Sequence, residues 1–440
     1  MKKKITGMIL ILMFVFVAFT GCGETSEPVV EAEPVEQEPE KIHICVSNND
    51  FSEELNYVTE KYPEIEERTE IEILPETDFC KTVSQVLENE ESETYPDIIV
   101  APFEGINYLV ESDKTISISE LGISQQDCSR MYPYTIGVAT DKEGNLKALT
   151  NEVHPGAFIY RKAIAKEILG SDDEKEVQSY LRDWETFTDT ARHIYKASEG
   201  KTAMIASAHA LDAVYATGRE KNWIDNDSIV IPNHYNKYLD TRYALEKNKF
   251  ALTFNSSDME YYKSASGDKV FGFFVESDLF ENNVARKPGY EGDWGICEGP
   301  QAYFTGGYWI FVTDKCSDRE LAKNVLKTLC TDMSVLEKIR ADKGLFVNDT
   351  KVMSNAMNSG KGNSKLLGGD YIKVLSKQAE KIDFVYCGQE DSALDKMFFE
   401  LADSYINDTM DKTKLEEAFV SKADAYLHPV VTEEVTETEE

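Results

Sequence analysis

Positive charge is scarce in this chain: 46 Lys and Arg stand against 80 Asp and Glu, a net charge of −34 over 440 residues. A nucleic-acid-binding surface must neutralise phosphates, so that class is excluded. Adhesion to anionic lipid through surface charge is excluded on the same ground. Recognisable catalytic runs are also absent. There is no G-x-S-x-G, H-E-x-x-H or G-x-x-x-x-G-K-[ST] segment, and the stretch Gly360 to Gly369 follows no clear strand. His and Cys do not cluster at metal-ligand spacing, so no catalytic residue, metal or cofactor is expected. Beyond Cys22 the chain has Cys45, Cys80, Cys128, Cys297, Cys316, Cys330 and Cys387, with no C-x-x-C pair. An odd set leaves at least one thiol unpaired or paired outside the chain, and positions inside apolar runs read as buried free thiols. Membrane-spanning length is missing too. The apolar run Met8 to Phe19 stops at 12 residues, where ~20 are needed to cross a bilayer.

What is there begins at that run. Lys2, Lys3 and Lys4 precede it and Phe19-Thr20-Gly21-Cys22 closes it, the pattern of a secretory signal over residues 1–21. Its end resembles a bacterial lipobox, which implies a diacylated Cys22 as the mature N-terminus. Two acyl chains, at ~0.8 kcal/mol per buried methylene, anchor a protein stably. Gly23 to Glu40 holds seven Glu, three Pro and no Lys or Arg. Such a segment cannot bury enough apolar surface to offset its ordering entropy, so 22–40 reads as an extended acidic tether. Residues 432–440 repeat the composition, and neither tail is expected to carry chemistry.

The body, 41–431, is long enough for two lobes. Ile42 to Val46 reads as a strand, with a polar loop Ser47 to Asp50 and a helix from about Ser52. Ile71 to Leu74 and Ile98 to Ala101 read as strands, with a helix around Lys81 to Glu88 between them. Short, continuously apolar strands separated by helices predict parallel sheets covered on both faces. Asp183 can cap a helix that places Trp184, Phe187, Ala191 and Ile194 on one side. Ser317 to Glu320 reads as a capping box before Leu321, Val325, Leu326 and Leu329. Asp391 to Tyr405 is a further helix.

Five segments in this order resemble the extracellular solute-binding proteins of ABC importers, in the carbohydrate-binding branch that includes maltose-binding protein. They are Tyr95-Pro96-Asp97-Ile98-Ile99-Val100-Ala101; Ala148 to Asn151 running into Pro155 to Lys162; Asp183-Trp184-Glu185-Thr186-Phe187; Lys249 to Asn255; and Trp294-Gly295-Ile296 with Gly306 to Val312. Thr150 stands where the family usually has Pro. The resemblance implies an α/β, two-lobed periplasmic-binding-protein-like fold with an interlobe hinge and a central cleft. Its crossings fall near Leu149 to His154, Gly295 to Pro300 and Thr331 to Leu336. The lobes are then 41–150 plus 297–331, and 151–296 plus 332–431.

The implied function is capture of a sugar or oligosaccharide and delivery to an ABC permease by a monomer held on the extracellular face through its lipid. The partners are that ligand, the permease and, through the anchor alone, the membrane. The same fold capturing another solute, such as a polyamine or peptide, or serving a sensor, stays open. A surface glycan hydrolase is a third reading, but so many acids make carboxylate pairs uninformative. Sugar sites need rings for the apolar sugar face and fixed polar groups for the hydroxyls. Phe51, Phe103, Tyr303, Tyr308 and Trp309 are the ring candidates at loop ends. Asn49, Asp50, Glu104 and Asn255 are the polar ones, and His154 lies beside the first crossing. Tyr308 and Trp309 alternate on a strand, so one ring should stack and the other pack. Trp309 is expected to be the stacker.

Overall fold

The computed structural model describes residues 41–428 except 49, 76–78, 93, 220, 227, 255–258, 265–266, 276–292, 362, 365–366, 368 and 384–389. Expectations for Cys22, Asn49, Asn255 and Cys387 fall outside the described residues. So do the side chains of Cys80 and Glu104.

Two sheets organise the chain. The first has the order β2 (Thr69–Ile73), β1 (Ile42–Val46), β3 (Ile98–Pro102), β11 (Tyr308–Val312), β4 (Ala148–Leu149). β1 pairs in parallel with β3, as their continuous apolar runs predict, and with the alternating edge strand β2. Helices α1 (Asp50–Thr59), α2 (Glu64–Arg68) and α3 (Phe79–Glu88) make the crossovers, and α4 (Phe103–Glu111) follows β3. β11 returns antiparallel to β3, with Tyr308 opposite Pro102. That reversal is not in the expectation of parallel sheets. It has one consequence for the site: the first residue of β11 sits at the edge where β1 and β3 end.

The second sheet has the order β10 (Trp294–Cys297), β5 (Ala157–Arg161), β9 (Val270–Val275), β6 (Ala203–Ile205). Only the β6–β9 pair is parallel. A short hairpin, β7 (Ile224–Asp225) with β8 (Ser228–Ile229), lies outside it. Two apolar cores form: one runs from β1, β3 and β11 onto one face of the second sheet through Ile159, Phe273 and Ile296, and the other lies on the opposite face of β5 with the helices packed against it. Among the described residues no helix is long and apolar enough to cross a membrane.

Local chemistry explains several of the sequence motifs. Asp97 is buried and accepts from the backbone of His43 (2.8 Å) and of Ser317 (2.6 Å), tying the edge of β1 to the start of the helix Arg319–Cys330. Ser317 is therefore occupied, and Asp318 caps that helix instead by accepting from the Leu321 N–H at 2.9 Å. Asp183 and Thr186 form a reciprocal capping box on the helix Trp184–Ala197, whose buried side is Phe187, Thr190, Ala191 and Ile194. Cys45, Cys128, Cys297, Cys316 and Cys330 are buried free thiols.

The chain passes between the sheets along paired extended segments. Residues 150–156 leave β4 for β5, and 298–307 leave β10 for β11. A third segment, 345–349, runs beside the first. The Val153 N–H donates to Phe346 O (2.9 Å) and the Asn348 N–H to Asn151 O (2.8 Å). On the other side the Thr305 N–H donates to His154 O (2.9 Å) and the Gly156 N–H to Tyr303 O (2.9 Å). The Asn348 side chain, 1 % exposed, donates to Thr135 Oγ1 and Thr150 O at 3.0 Å each, locking the first and third segments together. Strand β10 still belongs to the second sheet at Cys297, and the helix Met333–Lys343 still packs on α1.

Candidate functional site

Parallel strands leave their carboxyl ends, and the loops that follow them, along one edge of a sheet. Here β1 ends at Val46 and the loop Ser47-Asn48 leads into α1. Asn48 organises that corner. Its Oδ1 accepts from the Asp50 N–H at 2.9 Å, and its Nδ2 donates to Tyr308 Oη at 2.8 Å. A cavity of about 270 Å³ opens beside it. Ser47, Asn48, Asp50, Phe51 and Glu54 form one wall, and Val100, Tyr308 and Ile310 of the sheet form the floor. Asn151 and Glu152 of the first crossing close it with Lys343 and Leu345, at the start of the third.

Two carboxyls in this cavity, one buried and one half-buried, behave oppositely. Glu54 is 8 % exposed, and the Asn151 amide donates to its Oε2 at 2.9 Å. Burial, and then the nearby charge of Glu152, push its carboxyl up to about 7. Burial also works against ionisation of Glu152. The His154 ring, 3.0 Å away, and Lys343 outweigh it and hold Glu152 below the ordinary glutamate value. Lys343 reaches Glu53 at 3.3 Å.

A second opening of about 520 Å³ lies between the lobes. Phe103 at the start of α4 and Phe304 to Gly306 of the second crossing form one side, and the helices Ala210–Thr217 and Asp391–Ile406 the other. The Phe103 ring meets Phe304 edge-on at 4.8 Å. Asp212, Lys396, Glu400 and Asp403 supply polar groups. Behind them Arg242, 1 % exposed, donates to Asp403 (2.5 Å) and Glu246 (2.9 Å) and fixes that wall.

The ring candidates separate accordingly. Phe51 and Tyr308 line the hinge-side cavity and Phe103 the interlobe opening. Trp309 is 1 % exposed, its Nε1–H donates to Thr135 O at 3.2 Å, and its ring packs against Phe103. The choice of Trp309 over Tyr308 as the ring open to a ligand is therefore reversed. Gly307 does not make room for a ligand there. Its φ is +120°, and a Cβ would come within 3.2 Å of His154 and 3.3 Å of Trp309. Tyr303 is also core, its ring lying flat on Gly156, where a Cβ would overlap it, and its hydroxyl donating to Ala157 O at 3.0 Å. Asp50 is exposed at the cavity rim, and His154 faces Glu152.

Sequence reasoning missed Asn48, Glu54, Asn151, Glu152 and Lys343. Glu54 had a signal, since it follows Asp50 by one helical turn and so shares its face. Asn151 stands inside a quoted segment. Lys343 comes from a stretch beyond the first two crossings, where nothing local marks it.

No protein-family model matches the sequence, and no curated protein does. Solved structures do match. A crystal structure of an extracellular solute-binding protein of family 1 superposes with a TM-score of 0.76 at 15 % identity, over 89 % of this chain and 100 % of that one. The fold is that of the solute-binding proteins. The sugar-binding protein MalE of Xanthomonas citri matches at a TM-score of 0.69 and 13 % identity, over 88 % and 97 % of the two chains. The galacto-N-biose-/lacto-N-biose I-binding protein of the Bifidobacterium longum ABC transporter, in complex with lacto-N-biose, gives 0.65 and 14 % over the same shares. The two openings described above lie beside the crossings and between the lobes of this fold.

Proposed function

We propose that the protein captures a sugar or oligosaccharide between its lobes and presents it to an ABC permease, without transforming it. The observation that carries this reading is the cleft itself. Three paired crossings join two lobes, each built on its own sheet, and open space at their edge is lined by rings and fixed amides. Tyr308 and Phe103 offer apolar faces, while Asn48 and Asn151 are pre-oriented to meet hydroxyls. Closure reports occupancy only if the ligand contacts the closed state better than the open one. A ligand touching the first lobe, the crossings and the helix Asp391–Ile406 at once would meet that condition.

We assign the lobes as two interleaved halves meeting at the crossings, and Cys22 as the lipid attachment point on the extracellular face of the membrane. Calorimetry against a saccharide panel should find a binder, and the melting transition should rise by ~2.7 kcal/mol at a hundredfold excess over Kd. Release of shortened glycans at catalytic protein levels would instead favour a hydrolase. Cys22→Ser should free the folded protein from membranes; retention of that variant would remove the lipid assignment.

A further inference from the structure

The hinge-side cavity is asymmetric in charge. Glu152 is matched by His154, and Lys343 reaches Glu53. Glu54 and Asp50, one turn apart on α1, form no ion pair among the described residues. Glu54 has a single side-chain hydrogen bond, from Asn151, although it is 8 % exposed. A second polar group is left over in the same wall. Ser47 is also 8 % exposed, lines the cavity, and its hydroxyl has no hydrogen-bond partner among the described residues. Buried polar groups are nearly always satisfied, so an unmatched hydroxyl and an unmatched carboxyl in one cavity indicate that something else completes them.

Resting on the saccharide reading above, we propose that this cavity takes a sugar residue bearing a protonated amine, with the ammonium placed between Glu54 and Asp50. At about 270 Å³ the space would hold about nine waters, the scale of one sugar ring. A neutral hydroxyl would leave Glu54 with its burial penalty. An ammonium supplies an ion-pair contact that Glu54 and Asp50 lack among the described residues, and three donors for the two carboxylates and Ser47 Oγ. Tyr308 and Phe51 line the same space and favour a cation further through their ring faces. The high-lying carboxyl of Glu54 is consistent with this arrangement. Asp50, Glu152 and Lys343 all act on it, along with the Asn151 hydrogen bond, and burial is the largest influence. Lys343 is the one cation that opposes the ligand. It reaches Glu53 on α1 at 3.3 Å, and its charge also acts on Glu54.

The test uses three pairs of probes that differ only at one carbon: glucose and glucosamine, galactose and galactosamine, mannose and mannosamine. Calorimetry and thermal shift at pH 7 should show at least one hexosamine binding ten-fold or more tighter than its parent hexose. Glu54→Gln, which retains the hydrogen bond from Asn151, should bring that ratio close to one. Lys343→Met should widen it. A hexose that binds as tightly as its amine, a ratio unmoved by Glu54→Gln, or no binding by any hexosamine overturns the proposal. Neutral saccharides that bind and close the protein without amine preference would retire this inference and leave sugar capture standing. Silence from the hexoses, the hexosamines and the oligosaccharide panel would retire both.

Discussion

Two buried carboxyls, Glu54 at the hinge and Asp395 in the second lobe, show how the same chemistry serves different ends. Asp395 is 7 % exposed and is surrounded by donors: Trp223 Nε1–H at 2.8 Å, the Tyr235 hydroxyl and the Arg219 guanidinium. Arg219 is itself 3 % exposed and lies 3.5 Å from Asp391, which accepts from the Trp223 N–H at 3.2 Å. Burial raises the Asp395 carboxyl, and Arg219, Tyr235 and Trp223 pull against it. Everything this carboxylate needs is built into the lobe. Glu54 is as deeply buried but has one amide and faces open space. The first arrangement fixes a structure. The second leaves room at the carboxyl for the guest proposed above.

The comparison breaks most visibly if Arg219 is removed. Arg219→Met strands Asp395 and Asp391 without their cation, and a broken buried pair costs about 3–5 kcal/mol. Melting of this variant should fall sharply, while Glu54→Gln should melt no lower than the parent protein. A parent-like melting curve for Arg219→Met would erase the distinction.

Tyr308 and Trp309 draw the same contrast within one strand. Trp309→Ala empties a packed site and should cost about 3–5 kcal/mol in chemical denaturation. Tyr308→Ala removes a partly exposed ring at the cavity floor and should cost under about 1.5 kcal/mol while removing most saccharide binding. If stability follows Tyr308 and binding follows Trp309, the assignment of these two rings is inverted.

Acidity sharpens the account of Glu54. Its folded value of about 7 lies above the ordinary glutamate value, 4.5. The unfolded chain therefore loses this proton first, and its stabilising contribution is complete below about pH 4.5 and lost as pH rises through 7. Glu54→Gln removes that dependence. Relative to the parent it should gain up to about 3 kcal/mol at pH 8, at 1.4 kcal/mol per pH unit, and nothing at pH 4. Urea denaturation at the two pH values reads the difference, and equal gains at both would show that Glu54 ionises normally.

Much of the fold was legible because local signals and burial agree. Ile42 to Val46 and Ile98 to Ala101 are apolar enough to form central strands, and Asp183 has both a cap position and an apolar stripe behind it. Ser317 misled because a capping residue carries no label saying which partner it serves, and Asp97 claims it from 220 positions away. Among the extended links between the sheets, 150–156 is a short one, flanked closely by the strands β4 and β5. The others depend on pairing between 150–156, 302–307 and 345–349, which no local pattern encodes.

The site was less legible still. Loop position drew attention to Asp50 and Tyr308, which line the same cavity, since loops after parallel strands share an edge. Glu54 and Lys343 required knowing which helices meet at the hinge. Alternation on β11 said that Tyr308 and Trp309 differ; it could not say which faces the cavity, because that depends on the sheet's neighbours.

The central claim is that the two lobes close on a saccharide held at the crossings. Small-angle scattering of the purified protein, with and without the tightest saccharide from the calorimetric panel, tests it most directly. The account predicts a smaller radius of gyration with the ligand, and no change for Tyr308→Ala under the same conditions. A saturating saccharide that leaves the scattering of the parent protein unchanged would contradict it.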